Sequence, residues 1–74
     1  MAEERTNELK KLMTITTDLE IPSELRIKAV EQIGRIGTHE ALLALLELVA
    51  NERLVKKERE FAWKQAGDII KSGR

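Results

Sequence analysis

The run from Ala41 to Ala50, ALLALLELVA, contains one charged side chain, Glu47. If this run is a helix, only Glu40, Glu47 and Asn51 mark a polar strip on it. A helix so apolar has to be covered on several sides. It is too short to span a bilayer, and Glu47 would sit in the middle of it. The chain is therefore predicted to pack its other segments around this helix, with Leu42, Leu45, Leu46 and Val49 at the centre of the core. The same helix closes a longer stretch, Leu25 to Val49, which is broken in two at Ile33-Gly34-Arg35-Ile36-Gly37.

The remaining segments supply the cover. Residues 3–16 place Leu9, Leu12, Met13 and Thr16 on one face at spacings of three and four. The β-branched run Thr14-Ile15-Thr16-Thr17 weakens the end of that helix. Pro22 and Ser23 suit the start of a second helix, 24–36, in which Leu25, Ala29, Val30, Ile33 and Ile36 form the apolar stripe. Gly34 costs this helix roughly 1 kcal/mol against alanine, which predicts a close neighbour at that point. Gly37 is placed to end the helix in the left-handed conformation. Thr38 then caps a third helix, 39–50. Asn51 to Leu54 reads as a polar connection, and a fourth helix, 55–71, carries Val55, Ala62, Trp63, Ala66, Ile69 and Ile70 on one broad face. No strand pattern appears. One all-α domain of four helices over residues 1–74 is the expected class.

Composition removes several functions. There are no cysteines and one histidine, His39, so thiolate metal sites, a thiol nucleophile and a multi-histidine zinc site are all excluded. Carboxylate binding of a hard cation stays formally open. Thirteen basic residues balance thirteen acidic ones, which argues against non-specific binding to nucleic acid or anionic membranes. The N-terminal MAEERTNELKK lacks the layout of a secretion signal, so a cytoplasmic protein is expected. Glu3-Glu4 and Glu58-Glu60 lie in charged stretches that read as solvated, and Ser23 and Ser72 read as helix-boundary or tail residues. No catalytic, metal or cofactor residue is expected.

One constant shift superposes the two halves: Leu9 on Leu42, Leu12 on Leu45, Met13 on Leu46, Asp18 on Asn51, Arg26 on Arg59, Ala29 on Ala62, Gly34 on Gly67 and Ile36 on Ile69. Helix pairs repeating at such a period are the sequence signature of an α-solenoid. The segment Leu25-Arg26-x-x-Ala29-Val30-x-x-Ile33-Gly34-x-Ile36-Gly37, followed by Glu40-Ala41-Leu42-x-Ala44-Leu45-x-x-Leu48, resembles HEAT-like repeats of the phycobilin-lyase type. The resemblance covers most of the chain from Leu25 onward. It departs at Ile70, where the closing glycine is missing, and at Trp63, where a small residue is usual. The second unit is accordingly read as a terminal cap. The resemblance implies a short α-solenoid of about two hairpins that serves as a scaffold or partner-binding surface. It also implies a structural ladder in which Arg26 and Arg59 link to Asp18 and Asn51 in the preceding loops.

The expected function is protein–protein interaction, by docking onto another protein or by self-association. Leu54 and Phe61 fall away from the apolar stripe of the fourth helix and are candidate exposed anchors, since aromatics often anchor interfaces. Ile27 and Leu43 could extend a second apolar surface. Two other classes compete. A helix-turn-helix around Gly37 would make a nucleic-acid-binding protein, but the helix after Thr38 has no arginine or lysine with which to contact bases or phosphates. Basic Arg53, Lys56, Lys57, Arg59 and Lys64 are interleaved with Glu52, Glu58 and Glu60. An accessory subunit of a lyase-like enzyme rests on family analogy alone.

Overall fold

The computed structural model describes residues 2–72, with side chains from residue 7 onward. All regular structure among them is helical: α1 (Ala2–Thr17), α2 (Ser23–Ile36), α3 (His39–Ala50) and α4 (Lys56–Lys71). Glu3 and Glu4 lie outside the residues with described side chains. Among the described residues, no helix is long and apolar enough to cross a membrane.

The helix boundaries follow from local chemistry. The threonine run does not cut α1 short, and its hydroxyls bond back into the helix. Thr14 Oγ1 donates to the Lys10 carbonyl, and Thr16 and Thr17 Oγ1 both donate to that of Met13. This back-bonding also satisfies Thr16, which is buried. Gly37 ends α2 at φ 67°, a conformation that a residue with Cβ resists. Thr38 Oγ1 accepts from the Ala41 N–H at 3.1 Å, capping α3.

The two loops that follow α1 and α3 share one hydrogen-bond pattern, displaced by the same shift that superposes the halves of the sequence. Asp18 N–H donates to Ile15 C=O as Asn51 N–H does to Leu48 C=O. Ile21 N–H donates to Asp18 C=O as Leu54 N–H does to Asn51 C=O. The Asp18 carboxylate accepts from Glu20 N–H, and the Asn51 amide oxygen from Arg53 N–H, each at 3.0 Å. Pro22 and Val55 then accept from the first turns of α2 and α4 at matching positions. The repeat therefore extends to the backbone as well as the side-chain pattern.

Helix α2 packs against all three others, α3 packs on α4, and α1 on α3; among the described residues α1 and α4 do not meet. The core is drawn from α2, α3, α4 and the loop before α4: Val30, Ile33, Ala41, Ala44, Leu45, Leu48, Leu54, Ala62, Ala66 and Ile69. Of the four residues expected at its centre, Leu45 is fully buried, while Leu42, Leu46 and Val49 are only partly covered. Ala41, Ala44 and Leu48 take the inner positions beside Leu45, and alanine there lets the neighbouring helices come close.

The apolar stripes are narrower than the sequence suggests. Leu25, Val55, Trp63 and Ile70 were all expected inside and are half exposed or more. On α4 the buried line is Glu58, Ala62, Ala66 and Ile69. Trp63 and Ile70, each one residue past a member of that line, lie on the flank of α4 about a quarter turn away. A terminal cap has a polar outer face. The exposed face of α4 is mostly charged, through Lys56, Lys57, Glu60, Lys64, Asp68 and Lys71, and is interrupted by Trp63, 62% exposed, and Ile70, 61% exposed.

Candidate functional site

The most unusual chemistry is a buried ion pair between α2 and α4. Arg26 Nη2 lies 3.1 Å from Glu58 Oε2, with side chains 10% and 2% exposed. Ser23 Oγ, one turn before Arg26, donates to the same carboxylate oxygen. Arg26 Nε and Nη1 and Glu58 Oε1 have no partner among the described residues. The arginine's partner is therefore Glu58 on a neighbouring helix and not Asp18, whose carboxylate closes its own loop. Asn51 likewise serves its loop, through Arg53, and Arg59 Nε is buried without a partner among the described residues. Among the described residues the expected loop-to-helix ladder is not formed: Arg26 pairs with Glu58 between helices, Arg59 Nε has no partner, and Asp18 and Asn51 each accept a backbone N–H of their own loop.

Glu58 is the residue sequence reasoning missed, since it looked like one of several solvated glutamates. The available signal was its spacing: four residues before Ala62, it continues the buried line of α4. Gly34 contributes to the same α2–α4 contact. A Cβ there would come within 3.2 Å of Gln65 Cβ on α4, so the close approach expected at Gly34 is made by the side chain of Gln65.

The candidate interface residues do not form one surface. Leu54 is 3% exposed and belongs to the core, because the turn closed by its N–H folds it inward. Phe61 is half-buried and packed against the core, flanking the buried line of α4. The exposed aromatic is Trp63 instead. Ile27 is half-buried, and Leu43 is half exposed beside a groove between α1 and α3 that Leu9, Met13 and Ala44 also line.

Two further grooves are lined by different helices, one by α1 and α2 with the loop between them and the other by α3 and α4. One, lined by Leu12, Ile15, Ile21, Pro22, Leu25 and Ala29 together with Glu20, is almost wholly apolar. The other is lined by Val49, Lys56, Arg59, Glu60 and Trp63. His39 is exposed at the start of α3, and no group of three or more potential metal ligands is found among the described residues. No protein-family model, curated protein or solved structure matches the chain.

Proposed function

We propose that the chain is a non-enzymatic protein-interaction module, a short α-solenoid of about two HEAT-like hairpins whose ends carry the binding surfaces. The observation that carries this reading is the outer side of α4, where the only tryptophan stands 62% exposed within a groove beside a partly buried arginine. Tryptophan and arginine are the residues most enriched at binding hot spots. The solenoid part draws on the repeated loop bonds and on the order of packing. In a stack, each helix meets the next two along the chain and not the third, as α1 and α4 do not meet among the described residues.

Site-specific photo-crosslinking tests the reading. A benzophenone side chain at position 63 is expected to trap discrete protein adducts in cells, while the same group at Lys28, an exposed polar position, traps none. If positions 63, 25 and 43 all give no discrete adduct, the interaction reading fails.

A further inference from the structure

We infer that the Arg59 side of α4 is a docking seat for a partner helix that presents a carboxylate in its first turn and an alanine four residues later. The argument is internal to the molecule. Under the shift that carries Arg26 onto Arg59, Ser23, Val30 and Gly34 of α2 become Lys56, Trp63 and Gly67 of α4. On α2 those positions form the seat of α4. Arg26 and Ser23 hold the Glu58 carboxylate, Val30 is 1% exposed, and Gly34 meets Gln65.

On α4 the same positions stand open. Arg59 Nε is buried without a partner among the described residues, Trp63 is exposed, and a Cβ on Gly67 would meet nothing within 4 Å. Charge strengthens the match, because Lys56 replaces the Ser23 hydroxyl and offers a second cation to the incoming acid. Its own contact to Glu60 is a 4.0 Å surface pair, 82% and 68% exposed, of the kind that contributes little. The pattern for the occupant is α4 itself, which seats on α2 through Glu58, Ala62 and Ala66, all buried.

A second unaltered copy is the wrong occupant. Its groove between α1 and α2 presents Leu25 and Ala29, at the positions that correspond to Glu58 and Ala62. An apolar leucine would therefore meet Arg59, leaving the guanidinium desolvated and unpaired.

That mismatch supplies the probe. A copy carrying Leu25→Glu, Arg59→Glu and Trp63→Phe offers the acid with Ala29 four residues on, lacks the seat and is silent in tryptophan emission. Leu25 is 51% exposed, so the probe should fold, which circular dichroism checks. Arg59→Gln replaces Arg59→Glu if it does not fold. Mixed with the unaltered chain, the probe is expected to double the mass seen by light scattering and to shift Trp63 emission to shorter wavelength. A probe that keeps Leu25, or carries Leu25→Gln, should bind at least tenfold more weakly. Arg59→Glu in the receiving chain should abolish the complex.

Folded chains that stay at single-chain mass would overturn the inference. So would pairing that survives Arg59→Glu, or an unaltered chain that doubles its mass alone through Leu25. The inference rests on the interaction reading above, and the two fail separately. Without probe binding but with cross-links at position 63, the acidic-helix partner is lost and the module stands. Loss of both removes both.

Discussion

Moving a carboxylate and a guanidinium out of water carries a penalty of several kcal/mol per ion, which their attraction recovers only with good geometry and further hydrogen bonds. Arg26 and Glu58 have one 3.1 Å contact and the Ser23 hydroxyl, and three of their polar atoms lack partners among the described residues. Such a pair contributes little net stability while both members are present, yet it destabilises strongly when one is removed. Arg26→Ala, which strands Glu58, should cost about 3–5 kcal/mol in urea unfolding. The double replacement Arg26→Met, Glu58→Leu should recover most of that loss or exceed the parent. An Arg26→Ala loss below about 1 kcal/mol would show that the pair has no structural role. Half of this pair was legible in the sequence. Arg26 lies visibly within an apolar arc, whereas Glu58 and Glu60 are alike in composition and only the phase of α4 separates buried from exposed. The same phase decides Trp63 and Ile70: counting every apolar residue as inward widened the stripe past the width α4 actually buries.

At the scale of elements, helix positions were legible because their signals are local. Proline before Ser23, threonine at the cap of α3 and glycine at φ 67° each act within a few residues. What a helix packs against is not local, and the paired glycines make that measurable. Both Gly34 and Gly67 lie inside helices, where alanine should add roughly 1 kcal/mol. Gly67→Ala should realise that gain, since its Cβ would meet open space. Gly34→Ala should fall short of it, because the new Cβ would come within 3.0 Å of Gln65 Cδ and 3.2 Å of its Cβ, and Gln65 would have to give way. Thermal unfolding of the two variants side by side reads the difference. Equal gains would mean that Gly34 does not define the approach of α4. In the presence of the acidic probe the order of interest changes: Gly67→Ala, though more stable alone, should weaken docking, because it narrows the seat that the partner helix is inferred to enter.

For the whole molecule, the question is whether four helices form a closed bundle or a segment of a stack. A closed bundle has no place for another hairpin, whereas in a stack each repeat contacts only its neighbours and can be added in register. The sequence offers a clean junction. Repeating residues 34–66 once, directly after Ala66, joins glycine to glycine in phase, because Gly34 and Gly67 stand one repeat apart. The inserted unit brings its own Glu58 opposite the Arg59 of the first unit, and the first α4 gains the closing Gly37 that Ile70 otherwise replaces. Trp63→Val in that first unit matches it to Val30, which is fully buried at the corresponding place. If the proposed solenoid is right, the longer chain unfolds in one transition at higher urea. Its m-value should rise roughly in proportion to length, because the added hairpin buries its own surface. If the arrangement is closed, the inserted residues find no seat, their amides exchange at the rate of open chain, and the midpoint does not rise. The first result would also place Arg59 against a glutamate in a covalent setting, so Arg59→Ala should then become as damaging as Arg26→Ala, having been mild in the parent chain.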